Sequence, residues 1–150
     1  MKKIILIGGG GHANSCIDII KRLNKFKIVY ILEEKISNNL KNFKKVTYNK
    51  KNLLKINQKV KNAFICFGQI KNKKSRQRVF DELQNLKYNF PIIKSDTAYI
   101  SKDSTILDGT IIMHRSVINS NVRIGLNNII NTGAIIEHDV IIEDNCHIST

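Results

Sequence analysis

Residues 100–150 read ISKDSTILDGTIIMHRSVINSNVRIGLNNIINTGAIIEHDVIIEDNCHIST. Isoleucine stands at 100, 106, 112, 118, 124, 130, 136, 142 and 148, a spacing of six without a miss. Six is not close to a multiple of the helical repeat of about 3.6 residues, and a flat strand asks only for alternation. Four residues after each isoleucine come Ser104, Thr110, Ser116, Val122, Asn128, Ala134, Val140 and Cys146, nearly all small. A large aliphatic side chain followed at four by a small one is the hexapeptide pattern of a parallel β-helix. Each hexapeptide supplies one short strand and one corner, and three close a triangular coil of about 18 residues. The isoleucines of successive coils stack inside the prism, and the small residues fit where its corners narrow. Asn119, Asn121, Gly125, Asn127, Asn128 and Gly133 suit the turns, because Gly and Asn enter left-handed backbone conformations at low cost. The stretch makes a little under three coils and breaks off two residues into a new hexapeptide at Thr150. The expectation is an incomplete helix, continued or covered by something else.

The front half follows a different rule. Residues 3–7, KIILI, read as a buried strand running into four glycines at 8–11. A helical pattern follows, with Cys16, Ile17, Ile20 and Leu23 on one face and Asp18, Lys21 and Arg22 elsewhere. A second strand, KIVYIL at 27–32, ends in Glu33 and Glu34, and a third, AFICFG at 63–68, ends at Gly68. Ser75 is placed to cap an amphipathic helix carrying Val79, Leu83 and Leu86. FPII at 90–93 reads as a last strand before a linker to the repeats, and the Lys- and Asn-rich segment 40–60 resists assignment. Strand–helix alternation implies a small parallel sheet of Rossmann type. Ligands of such sheets bind beyond the carboxyl ends of the strands, where Gly8–Gly11, Glu33, Glu34 and Gly68 all fall. Four glycines let the backbone approach a phosphate, and the next helix offers its N-terminus. Gly8, Gly10 and Ala13 satisfy G-x-G-x-x-A, with Glu33 near the place of a ribose-binding acid, so taken alone the motif suggests NAD. His12 at the helix start is foreign to that fingerprint, and the repeats make an NAD-linked oxidoreductase improbable.

The net charge of +13 is unevenly divided: residues 1–99 hold 22 basic and 6 acidic residues, residues 100–150 hold 3 and 6. The two segments thus carry about +16 and −3, and the basic one would attract an anionic ligand such as a nucleotide. Its lysines are dispersed with few aromatics among them, which describes a solvated surface better than a nucleic-acid face. Cys16, Cys66 and Cys146 are odd in number and far apart, so they form neither a disulfide framework nor a metal knuckle. The opening MKKIILIGGGG has too short an apolar core for a signal peptide, and no run approaches the ~20 apolar residues of a membrane span. A cytoplasmic protein with no metal, no nucleic-acid partner and no membrane insertion is expected.

His138, third in its hexapeptide, sits at a corner outside the packed interior and beside Asp139. With an ordinary pKa of about 6.5, raised in basicity by a carboxylate, it is placed to act as a base. His147, next to inward-facing Cys146, should point outward. It lies nine residues, half a coil, beyond His138, so the two face different sides and meet only across an interface between neighbours. His114 is also at a corner and reads as structural or solvent-exposed.

An α/β segment opening with IGGGGHA and followed by NTGAIIEHDVIIEDNCHIS resembles the bacterial sugar acyltransferases that include sialic acid O-acetyltransferases and UDP-4-amino-sugar N-acetyltransferases. The resemblance spans essentially the whole chain and is most specific at 8–13 and 131–149. It implies a left-handed β-helix and a homotrimer, with acetyl-CoA in grooves between adjacent helices and a sugar nucleotide held by the front domain. It implies His138 as general base, strengthened by Asp139, and His147 in contact with acetyl-CoA. Gly10, Gly11 and His12 match the substrate-binding loop, Glu33 and Glu34 the acidic pair (often Asp in the family), and Gly68 the glycine after the third strand. The family carries further coils beyond this point, so acetylation by the 150-residue chain alone is expected to be poor or absent.

The expected architecture is therefore α/β plus β: a Rossmann-like domain over 1–97 and a left-handed parallel β-helix of about three coils over 98–150. The expected activity is acetyl transfer from acetyl-CoA to a UDP-linked 4-amino sugar, or to a related sugar such as sialic acid. The alternative is a non-catalytic module that binds a sugar nucleotide or an assembly partner.

Overall fold

The computed structural model describes residues 1–68 and 73–150. The chain forms two compact units, Met1–Phe67 with Arg78–Phe90, and Gly68–Gln77 with Pro91–Thr150.

In the first unit a four-stranded sheet contains β1 (Lys2–Ile7), β2 (Phe26–Glu33), β3 (Lys45–Thr47) and β4 (Asn62–Ile65) in the order β3-β2-β1-β4. All pairs are parallel. The apolar run Ile4–Ile7 is buried throughout, as a central parallel strand covered on both faces must be. Helix α1 (Gly11–Leu23) buries Ala13, Cys16, Ile17, Ile19 and Ile20. It stops where Asn24 turns to φ 51°, with Lys21 and Arg22 in the last turn opposing the helix dipole. The unassigned segment 40–60 holds β3 and α2 (Lys50–Asn57), two turns that bury little more than Leu53 and Ile56. Asn49 starts α2 by accepting the Asn52 N–H at 2.9 Å. Helix α3 (Lys73–Asn85) begins before Ser75, which lies within its first turn and is not its cap. Val79, Phe80 and Leu83 are buried at helical spacing, Arg76 joins that stripe, and Leu86 lies beyond the helix end.

The second unit is a left-handed parallel β-helix. Its rungs are β5 (Ile93–Lys94), β6 (Tyr99–Ile100), β7 (Thr105–Ile106), β8 (Ile111–Ile112), β9 (Val117–Ile118), β10 (Arg123–Ile124), β11 (Ile129–Ile130), β12 (Ile135–Ile136), β13 (Ile141–Ile142) and β14 (His147–Ile148). They form three flat sheets, β13-β10-β7, β14-β11-β8-β5 and β12-β9-β6. Every repeat isoleucine is the second residue of its strand and pairs with the isoleucine of the next coil, as in Ile106, Ile124 and Ile142. Residues 90–93 are not a strand of the first sheet. Ile93 pairs with Ile111 and so begins the β-helix, because its apolar side chain finds its neighbour on that face. The interior is Ile112, Ile118, Val122, Ile124, Ile130, Ala134, Ile136 and Ile142. Among the described residues of the β-helix, Gly109, Arg115, Asn121, Asn127, Gly133, Asp139 and Asn145 have positive φ, one at each corner from β7 onward at a spacing of six. No helix among the described residues is long and apolar enough to cross a membrane.

Candidate active site

The corner between β12 and β13 carries His138 and Asp139 in its turn. His138 Nδ1 lies 2.6 Å from Asp139 Oδ2, and both side chains are more than half exposed. The bond and charge of Asp139 raise the imidazole above its ordinary pKa, with a smaller contribution from Glu137. Asp139 is correspondingly held below the usual carboxylate range, first by His138 and then by Asn121. Asn121, one coil earlier, donates Nδ2–H to Asp139 Oδ1 at 2.5 Å. A histidine bonded through Nδ1 presents Nε2 outward, the arrangement of a general base.

His147 occupies β14, on a different sheet from the His138 corner. Ile148 packs against the interior, so His147 on the same two-residue strand faces out, half-buried and in register with Ile129. His114 is held by Ser95 Oγ at 2.7 Å and lies at a corner of its own. Along the outer faces of β7, β10 and β13 runs a groove of about 550 Å³ lined by Thr105, Leu107, Arg123, Ile141 and Glu143, among others.

In the first unit, the strand order places β1 and β4 at the topological switch point, where crevices form beyond the carboxyl ends. Gly8 leaves β1 with φ 99°, and a Cβ there would press on Phe67 at 3.1 Å. A Cβ on Gly9 would collide with the Glu33 carboxylate. At Gly10 and Gly11 a Cβ would meet nothing within 4 Å, so packing inside the chain does not demand glycine at either. Gly10 starts α1 without any side-chain cap, leaving first-turn N–H groups for an anion. His12 follows them, half-buried, with Nε2 enclosed and unpartnered among the described residues. Glu33 is tied to Lys45 Nζ at 2.9 Å and Ser37 Oγ at 2.8 Å. Burial pushes its carboxyl up, but those bonds outweigh it and hold the pKa below the ordinary value. Glu34 points to solvent, 3.8 Å from Arg78. Gly68 follows Phe67, with open space where a Cβ would be.

Residues 3–83, more than half of the sequence, match the family model described as the PglD N-terminal domain. The chain belongs to the PglD N-terminal domain family. Its structure is similar to a histidine-to-asparagine mutant of perosamine N-acetyltransferase from Caulobacter crescentus, solved in complex with CoA and GDP-perosamine. That likeness has a TM-score of 0.88 at 22% identity and covers 98% of this chain and 68% of the other. PerB from Caulobacter crescentus, in complex with the same two molecules, gives 0.86 at 24% identity over the same shares. The acetyltransferase domain of PglB from Neisseria gonorrhoeae, in complex with acetyl coenzyme A, gives 0.86 at 20% identity over 97% and 69%. These likenesses establish the fold, a Rossmann-like sheet followed by a β-helix.

In this member of the PglD N-terminal family, three participants escaped the reading of the sequence. Lys45 and Ser37 fasten Glu33, and neither stands out among many lysines and serines. Asn121 read as a turn former, although counting back one coil of 18 residues from Asp139 reaches it.

Proposed function

We propose that the chain is the front and catalytic-corner portion of an acetyl-CoA-dependent acetyltransferase acting on a nucleotide-linked amino sugar. The observation that carries this is the His138–Asp139 pair at 2.6 Å, set on an exposed corner of a β-helix. The substrate class draws on the glycine loop at the switch point, where Gly10, Gly11 and His12 face the open start of α1, with Glu33, Glu34 and Gly68 at neighbouring strand ends. Acetylation of an amine is preferred to that of a sialic acid hydroxyl, since two of the similar structures are of a perosamine N-acetyltransferase and PerB with GDP-perosamine. A UDP-linked 4-amino sugar is our first candidate. Acetyl-CoA suits the groove beside β10, where Leu107 and Ile141 offer apolar wall and Arg123 a cation, and His147, on a different sheet, is assigned to contact it across the interface with a neighbouring subunit. Exposed Tyr99, Leu107, Ile135 and Ile141 on the prism faces support a homotrimer. A cytoplasmic location fits a donor and acceptor of this kind.

Transfer is direct. The acceptor amine attacks the thioester carbonyl, His138 Nε2 takes the proton that the nitrogen must lose, and the tetrahedral oxyanion collapses with departure of the CoA thiolate. Asp139 stabilises the imidazolium formed on the way. CoA release should be measured with acetyl-CoA and a UDP-4-amino sugar, for the chain and for a form extended by further coils. His138→Ala should lower turnover of the active form by about 10²-fold or more with acceptor binding intact. Turnover unaffected by that change sinks the assignment. A second reading, a module that binds the sugar nucleotide without acetylating it, draws on the glycine loop, whose open space owes nothing to His138. Calorimetric binding of the sugar nucleotide by both forms, with no CoA release from either, selects it.

A further inference from the structure

The corner that carries His138 has an unusual occupant at its left-handed position. Corners along this β-helix stack at intervals of 18, and two of them join such positions through side chains. At one, Asn127 Nδ2 donates to Asn145 Oδ1 at 2.7 Å. At the other, Asn121 Nδ2 donates to Asp139 Oδ1 at 2.5 Å. Asn127 and Asn145 need nothing further to explain them, since each tolerates positive φ and an amide ladder ties coil to coil. Asp139 differs. A carboxylate has two accepting oxygens, and here one takes the Asn121 amide while the other faces His138 Nδ1 at 2.6 Å. We propose that Asn121 is a positioning residue for His138, holding one oxygen of Asp139 so that the other fixes the Nδ1–H tautomer and leaves Nε2 free to accept a proton. This rests on the reading of His138 as the base.

The chemistry is directional because Asn121 is a donor at that atom. Asp139 also donates its own N–H to Ser120 O at 3.1 Å, so its backbone is anchored and its carboxylate has only the two side-chain torsions left to fix. The other charged groups at this corner are Glu137, which accepts from Asn119 at 2.8 Å, and Lys102 and Asp103 two coils earlier. Among the described residues, Asn121 and His138 are the side chains bonded to the Asp139 carboxylate.

A sharp consequence concerns Asp139→Asn. With Asn121 kept in its native, donating orientation, the new amide offers its oxygen to Asn121 and so turns its NH₂ toward His138. Nδ1 then accepts, the ring proton moves to Nε2, and the base is disabled. Asp139→Asn should therefore be worse than Asp139→Gly, by about tenfold in kcat. Adding Asn121→Gly, which suits the φ of 58° and removes the donor, should let the amide flip and restore part of the rate.

The experiment reads the ring directly. Nitrogen-15 shifts of His138 in the 150-residue chain report which nitrogen holds the proton and the midpoint of its titration. The native chain should show the Nδ1–H form. Asn121→Gly should give a mixture and a lower midpoint, Asp139→Asn the Nε2–H form, and the double variant a return toward Nδ1–H. Asn121→Asp, equal in size and tolerant of the same backbone, serves should the glycine variant not fold. It cannot donate, so it too should lose the single tautomer even as its charge raises the midpoint. An Asn121→Gly chain with native tautomer and midpoint, or a double variant indistinguishable from Asp139→Asn, overturns the proposal whatever the activity of His138→Ala. Full transfer by His138→Ala instead removes the base reading, and with it any catalytic role for Asn121.

Discussion

Gly9, Gly10 and Gly11 stand side by side and are glycine for different reasons. At Gly9 the obstacle is internal, because the Glu33 carboxylate fills the space a Cβ would need. At Gly10 and Gly11 that space is open, so under the proposed function a side chain there would intrude on the sugar nucleotide. Gly11→Ala should therefore leave the melting temperature unchanged or raise it slightly, since alanine suits a helix interior better by about 1 kcal/mol and its first position by less. The same change should raise KM for the sugar nucleotide several-fold, and calorimetry with steady-state kinetics separates the two effects. In the proposed mechanism His138 sets the pH dependence. A base must be neutral, so the rate falls as pH drops through its pKa, and Asp139 places that limb above the ordinary histidine value. Asp139→Gly should move the acid limb of kcat/KM toward lower pH, which a pH–rate profile measures directly. Of the candidate groups in the two units, the glycine loop, Glu33 and the histidine–aspartate pair were legible as residue types at motif spacing. Lys45 was not, because what singles it out is a distance to Glu33 across the β2–β3 pair.

The elements obey two periodicities, and where the sequence is regular its structure was readable. Nine isoleucines at a spacing of six became nine strand ends, because a large aliphatic side chain in one register stacks coil on coil and fills a narrow prism. The corners repeat with the same period, and five of the seven positive-φ positions are Gly or Asn. Arg115 is an exception at φ 56°, exposed, where a Cβ costs about 1 kcal/mol or more. Arg115→Gly or Arg115→Asn should thus raise stability by up to about 1 kcal/mol, seen as a higher denaturation midpoint with an unchanged slope. Short elements were harder. β3 and α2 rest on few buried side chains, and in α2 on a cap at Asn49. Ile93–Lys94 joined the β-helix because a two-residue strand takes its identity from its pairing partner.

For the whole molecule, the exposed apolar residues on the prism faces carry the assembly reading. Ile135 and Ile141 are 63% and 68% exposed, large values for isoleucine on adjacent rungs. Ile135→Asp and Ile141→Asp, both pointing away from the core, should break a trimer into monomers in sedimentation without loss of β-sheet signal by circular dichroism. A form extended by further coils that sediments as a monomer before any substitution overturns that reading. The division of charge, basic ahead of residue 100 and acidic after it, went with two different architectures. By itself the sequence determined the β-helix, its register and its corners, since a strict period leaves one geometry that turns every repeat isoleucine toward the interior. It also determined the order of strands and helix around the glycine loop, because apolar runs and glycines mark them locally. Only the tertiary structure decided which atoms meet: Asn121 with Asp139, Lys45 with Glu33, Ile93 with Ile111. Those contacts join residues separated by 12 to 18 positions, and although the coil period stacks positions 18 apart, no local pattern says which of the side chains so brought together will bond. They are chosen by which side chains the completed coils and strands bring within hydrogen-bonding or packing reach.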